Sequence, residues 1–198
     1  MDVTSDDDHG QLLVVTLSRE MMADHVSEIL ALDSDAIRHM GRKYAPGAWN
    51  AENFLMDRPH KWQLSTAVMK EGRVVGFWIV ATIHRPWAFV FRVAFDAAVR
   101  GQGVARDSFN VMRRRIVDQG DALGISRLAL EVSMDNGAAR CVYERLGFKT
   151  VRGDDLRRFV EAVTGRRSLV LEVLDDHFVT GDGGCEMVMA LDLACQKA

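Results

Sequence analysis

The chain has 198 residues, with 25 Lys and Arg against 28 Asp and Glu and a formal net charge of −3; that length suits one globular domain, since two would both be undersized. Charges of both signs are spread along it, which excludes the dense basic stripe of a nucleic-acid-binding protein, and no stretch approaches the ~20 apolar residues of a membrane span. Cys141, Cys185 and Cys195 show neither paired nor metal-ligand spacing, so a reducing cytoplasm is the predicted setting.

Residues 1–10 hold Asp6, Asp7 and Asp8 and no apolar run, which predicts a flexible leader without a secretory signal, ahead of a single domain over 11–198. Residues 12–17 read as a strand. After Ser18, residues 20–32 carry Met22, Val26, Ile29 and Leu30 at helical spacing. A loop over 41–49 leads to Asn50, a cap for a short helix through Met56 before Pro59. Residues 63–69 and 74–83 flank the turn Lys70-Glu71-Gly72-Arg73 and predict a hairpin. Residues 87–95 alternate, with Phe89, Phe91, Val93 and Phe95 predicted on one side and Val90, Arg92 and Ala94 on the other.

Ala105, Phe109, Met112 and Ile116 then mark a helix ending near Gly120, and its Arg113-Arg114-Arg115 run reads as a solvated face. A strand over 127–133, a helix over 136–146 and a strand over 148–152 follow. From about 154 to 184 the pattern changes. Leu156, Phe159, Val160 and Val163 predict an amphipathic helix, residues 168–174 a strand, 180–184 a turn, and residues 185–193 a closing strand.

Two segments carry the chemistry. Arg100-Gly101-Gln102-Gly103-Val104-Ala105, with Arg106 in the first helical turn, is a glycine-relaxed entry into a helix whose backbone N–H groups can face a pyrophosphate. The same residues also suit a strand-to-helix turn with no ligand. A third glycine is missing, which argues against the dinucleotide fingerprint, and no Lys-Ser/Thr completes a P-loop. In the second segment Asn136 and Tyr143 stand two helical turns apart, with Ala139 between them on the same side. A thiol of pKa roughly 8.5 leaves more readily when a positioned acid of pKa about 10 shares its proton, and Tyr143 is the right type. Its plainer role is a core-edge tyrosine.

Glu131 lies in Leu128-Ala129-Leu130-Glu131-Val132, where a carboxylate among aliphatic residues needs a partner or a function. An ion pair with Arg92 or another cation and a functional use of the carboxylate both remain open at this point. Asp96 and His84 are reserve bases. His9, His25, His39, His60 and His177 show no metal-ligand spacing, so no metal is expected.

Arg100, Gly103 and Ala105, followed by Asn136-x-x-Ala139-x-x-x-Tyr143-x-x-x-Gly147-Phe148, make the chain resemble the GCN5-related N-acetyltransferase (GNAT) superfamily over about residues 12–152 and again from 185. The resemblance implies an α/β (α+β) fold: a twisted, mostly antiparallel mixed sheet, splayed between two near-parallel strands and flanked by helices. It implies acetyl-CoA as cosubstrate, held by Arg100 to Arg106 and Asn136, with Val93, Ala94 and Phe95 along the pantetheine arm. It gives Tyr143 the acid role, and Glu131 the base role of the ribosomal-protein N-terminal acetyltransferases. Ala97 stands where the family usually has proline.

The implied reaction is direct attack of a primary amine in a ternary complex, the acceptor expected to be a small molecule. Alternatives are a protein N-terminus or lysine, and a non-catalytic acyl-CoA-binding domain. The insertion at about 154–184 departs from the family pattern. It is expected to shape the acceptor pocket with residues 33–49, where Asp33, Asp35, Asp175 and Asp176 could attract a cationic amine; the other use of its added strand is a homodimer contact.

Overall fold

The computed structural model describes residues 11–40, 47, 49–163, 170–181 and 183–193. The predicted leader over 1–10 and Cys195 lie outside them. Strand β1 (Leu12–Thr16) is followed by α1 (Arg19–Asp24), capped by the Ser18 hydroxyl, which accepts from Met21 N at 3.2 Å. Where a single helix to Leu32 was expected, the chain bends at His25 and continues as α2 (Val26–Met40). No glycine or proline marks that bend, so periodicity alone could not find it. Helix α3 (Ala51–Leu55) starts at the predicted cap, Asn50, in a reciprocal capping box with Asn53.

Helix α4 (Lys61–Leu64) occupies the start of the segment expected as strand. Its Lys61 is buried and donates to the carbonyls of Phe54 and Met56, closing the end of α3; burial lowers its pKa to about 8. Strands β2 (Thr66–Lys70), β3 (Arg73–His84) and β4 (Trp87–Phe95) follow as an antiparallel meander. Helix α5 (Val104–Leu123) passes the predicted stop at Gly120 and ends at Gly124, whose φ is +67°. Gly120 is instead a close-approach site, where a Cβ would lie 2.7 Å from the Ile125 carbonyl oxygen. Then come β5 (Arg127–Ser133), α6 (Gly137–Arg145), β6 (Lys149–Thr150), α7 (Gly153–Val163), β7 (Val170–Val173), β8 (Phe178–Thr180) and β9 (Cys185–Asp192).

One mixed sheet runs β1-β2-β3-β4-β5-β9-β8-β7, with β6 also on β9, and every pairing is antiparallel except β4 with β5. One face packs α1 to α3 through Met22, Ile29 and Phe54 onto Phe77, Ile79 and Ala94. The same face continues under α7, where Leu156, Phe159 and Val160 cover Trp87, Phe89, Ala129 and Val188. On the other face Phe109, Met112 and Ile116 of α5 meet Trp78, Val90, Leu128 and Leu130, with Ala139 and Tyr143 of α6 at the margin.

The insertion interrupts an edge strand. Thr150 faces Met189 and Phe178 faces Glu186, so three steps along β9 are matched by twenty-eight along its partner. The neck is closed by Gly153 N donating to Asp175 O at 2.7 Å and by Arg152 beside Asp175 and Asp176. Such an excursion with adjacent ends costs little loop entropy, and the burial of Leu156, Phe159 and Val160 holds it on the sheet.

The alternation predicted for β4 fails at one point. Ile79 pairs with Arg92 but Val80 with Val90, leaving Phe91 as an extra residue in a bulge. Phe89 and Phe91 therefore share the α2 and α7 face with Arg92 and Ala94, while Val93 and Phe95 turn to the α5 face. A shift of one residue reverses every side chain beyond it.

Gly76 makes room for the end of this strand, since a Cβ there would lie 2.3 Å from Phe95 Cδ1. Gly76→Val is expected to lower stability by about 1–3 kcal/mol by overpacking, read from the urea midpoint. An unchanged midpoint would mean that the Phe95 ring moves away freely.

Candidate active site

Strands β4 and β5 pair only at Trp87 with Arg127, Ala88 with Leu128 and Phe89 with Ala129. Beyond these pairs the two strands part. Val93, Ala94 and Phe95 stay bonded to β3 on one side, opposite Trp78, Phe77 and Gly76, while the rest of β5 is held by β9. The β5-facing edge of β4 thus has no strand partner along the three residues expected beside the pantetheine arm.

The glycine turn lies at the end of this opening. A 3₁₀ turn (Ala97–Val99) follows β4, capped by Asp96, whose carboxylate accepts from Ala98 N at 2.8 Å. Asp96, a reserve base, therefore has a structural task. Gly101 and Gly103 have φ of +78° and +81°, which glycine adopts without strain. The first bond of α5 runs from Asp107 N to Gly103 O at 3.0 Å. Among the described residues no protein acceptor takes the amides of Gly101, Gln102, Gly103, Val104, Ala105 or Arg106. Donors of this kind at a helix N-terminus suit an anion, and a Cβ at Gly101 would meet nothing within 4 Å.

Arg100 turns away from that site. Its Nε donates to Phe95 O at 2.9 Å and its Nη2 to Asp35 Oδ2 on α2 at 2.7 Å. The guanidinium ties the turn to the strand end and to α2, so the turn offers a phosphate backbone donors. Helix α5 is anchored by a contact that periodicity does not reveal: Ser108, fully buried, accepts from Trp78 Nε1 at 3.0 Å and donates to Ala105 O at 3.1 Å.

Asn136 is the N-cap of α6, its Oδ1 accepting from Ala139 N at 3.1 Å. Tyr143 lies two turns on, half-buried, its ring 6.0 Å from that of Phe148. No hydrogen bond to its hydroxyl is formed among the described residues. Burial pushes the phenol up to about 12, above the value of about 10 expected for a free tyrosine. It is therefore protonated throughout the neutral range. Glu131 pairs with Val188 and shares its face with Ala129, opposite to Leu130, Val132 and α6. Glu131 and Tyr143 thus approach the parting strands from opposite sides of the sheet.

Arg92, the partner considered for Glu131, belongs to another cluster. Its Nε lies 3.1 Å from Asp33 Oδ1, and its Nη2 donates to Gly47 O at 2.6 Å. Burial outweighs this pairing and raises the Asp33 carboxyl, and it lowers Arg92 likewise. The other acidic residues expected to draw a cationic amine also face arginines: Asp35 meets Arg100 and Arg38, and Asp175 and Asp176 meet Arg152. His84, the second reserve base, is exposed at the far end of β3, paired with Trp87. Among the described residues no group of three His, Cys, Asp or Glu side chains is arranged to hold a metal ion.

The acetyltransferase (GNAT) family model matches residues 28–148, more than half of the chain, including both signature segments. The chain belongs to this family. It is 24% identical over 151 residues to the [ribosomal protein bS18]-alanine N-acetyltransferase of Escherichia coli K12, across 75% of this chain and 95% of the relative. Among solved structures it is similar to Ard1 from Thermoplasma volcanium, with a TM-score of 0.62 and 14% identity over 91% of this chain and 97% of that one. It is also similar to yncA from Salmonella typhimurium with its cofactor acetyl-CoA, with a TM-score of 0.58 and 15% identity over 92% and 94%. This GNAT protein is an acyl-CoA-dependent N-acyltransferase with acetyl-CoA as cosubstrate. Its six acceptor-free amides and the open space beside Gly101 fit the pyrophosphate of that molecule.

Proposed function

We propose that the chain acetylates the α-amine of a polypeptide N-terminus by direct attack in a ternary complex. The observation that carries the reading is that Glu131 and Tyr143 stand on opposite faces of the sheet where β4 and β5 part. Acetyl-CoA supplies an acetyl group on a thioester. The backbone amides of Gly101 to Arg106 bind its pyrophosphate, the open edge of Val93 to Phe95 orients the pantetheine arm, and Asn136 with Ala139 lines the channel on the α6 side. Tyr143 then holds a proton at its hydroxyl for the departing sulfur. From the other face Glu131 takes the proton of the acceptor ammonium, directly or through water. Alignment of the two reactants supplies much of the rate.

The acceptor class rests on the similarity to a relative named for acetylating an alanine of ribosomal protein bS18. A small primary amine is the second reading, favoured by α7, which covers the sheet face from Trp87 to Val188, the residue paired with Glu131. The exposed free thiols of Cys141 and Cys185 suit a reducing cytoplasm. No helix of the described residues is long and apolar enough to cross a membrane.

The test is incubation with acetyl-CoA and a peptide carrying both a free N-terminus and an internal lysine, followed by fragmentation mass spectrometry. Acetyl on the α-amine is expected. Acetyl on lysine alone, or transfer to small amines only, would overturn the acceptor assignment.

A further inference from the structure

The phosphate turn has little to fix it from within. Gly101 and Gly103 carry no side chains and stand at positive φ, and a Cβ at Gly101 would meet nothing within 4 Å, so packing does not set the course of the chain there. Gln102 makes a local contact, its Nε2 donating to Ala98 O at 2.7 Å. The long-range hold comes from Arg100, immediately before the first glycine. Its Nε donates to Phe95 O at 2.9 Å and its Nη2 to Asp35 Oδ2 at 2.7 Å, across 65 residues of sequence.

Asp35 is a firm post for that hold because α2 is fastened to the sheet independently of it. Ile29 and Leu32 are buried in one cluster with Phe77, Ile79 and Ala94. Asp33, just before Asp35 on the helix, is buried with its Oδ1 3.1 Å from Arg92 Nε of β4. The hydrogen bond from Arg100 keeps the Asp35 carboxyl below the usual carboxylate range, so it stays ionised throughout the neutral range. Its other oxygen lies 3.5 Å from Arg38 Nη2, one turn along α2.

From this arrangement we infer that Asp35 is a positioning residue for the donor: acting through Arg100, it orders the glycine turn and so sets the affinity for the pyrophosphate of acetyl-CoA without touching it. The inference rests on the reading that the backbone amides of Gly101 to Arg106 hold that pyrophosphate. A turn already ordered in the free protein loses less conformational entropy when the ligand arrives, and the difference appears as affinity. The opposite device would be an Arg100 that pairs with the phosphate itself, as a guanidinium readily does. The two roles differ in sign. Neutralising Asp35 slackens the turn and weakens binding in the first case; in the second it frees Arg100 for the phosphate and tightens binding.

The test is calorimetric titration of the wild-type protein and Asp35→Asn with acetyl-CoA and with S-acetylpantetheine, a donor that has the same thioester and no pyrophosphate. Asn has the shape of Asp and a similar helix propensity, so α2 is retained. Asp35→Asn is expected to raise the Kd for acetyl-CoA about fivefold, the upper end for a partly exposed charge pair, and to leave the Kd for S-acetylpantetheine unchanged. Added to Arg100→Gln, the same substitution should have no further effect, because the two residues act as one unit. Arg38→Gln, which removes the other neighbour of Asp35, should change neither Kd. Equal weakening toward both donors, tighter or unchanged binding of acetyl-CoA, or additive effects in the double variant would overturn the inference and leave the pyrophosphate reading standing. Wild-type protein that binds acetyl-CoA no more tightly than S-acetylpantetheine would defeat that reading as well.

Discussion

Tyr143→Phe is expected to lower kcat by about 10²-fold, the lower end of what a positioned proton donor contributes, while the Kd for acetyl-CoA stays unchanged. The ring survives the substitution, so its contact with Phe148 and its place against the shared core persist. Only the hydroxyl is lost, and no hydrogen bond to another described residue goes with it. The lower end of the range follows from the pKa. A phenol held at about 12 is a poorer acid than a free thiol of about 8.5, so complete proton transfer to a solvated thiolate would be uphill. Inside the site a thiolate is desolvated by the same surroundings, which raises its own proton affinity and narrows the gap. Tyr143 therefore acts chiefly as a hydrogen-bond donor to developing charge. It also stays protonated well above neutral pH, so an alkaline fall in kcat belongs to another group. An unchanged kcat in the variant would remove Tyr143 from the acid role.

Glu131→Gln should lower kcat/KM by about 10²-fold at pH 6 to 7, with a defect that shrinks as the pH rises past about 8. The sign follows from the acceptor. Below the α-amino pKa of about 7.7–8.0 the amine is protonated and a base must remove its proton; above it the amine arrives neutral and the carboxylate matters less. A loss of equal size at every pH, or a fall in thermal midpoint without that pH profile, would make Glu131 a structural carboxylate.

The donor half of this site is legible in the sequence because its chemistry is local. Gly101 and Gly103 mark a glycine-relaxed turn, and Asn136 and Tyr143 are placed by helical spacing, all within short segments. The boundaries of β4 and β5 are read correctly for the same reason. The acceptor half is not local. Which face Arg92 and Ala94 occupy depends on one extra residue at Phe91, detectable only from the pairing of β3 with β4. The role of Arg100 likewise depends on Asp35, far away in sequence, and Asp33 is drawn from an expected loop into α2 by its tertiary partner Arg92. Tertiary pairing also hides β8, a strand too short to show a period, which exists because β9 offers it an edge.

The central claim is that donor and acceptor meet through the gap between β4 and β5, one from each face. A conjugate joining coenzyme A through an acetyl bridge to the N-terminus of a short peptide measures this most directly, by calorimetric titration against coenzyme A alone and peptide alone. The account predicts that the conjugate binds at least ~10²-fold more tightly than coenzyme A, because both halves engage at once. A conjugate that binds no more tightly than coenzyme A would contradict it.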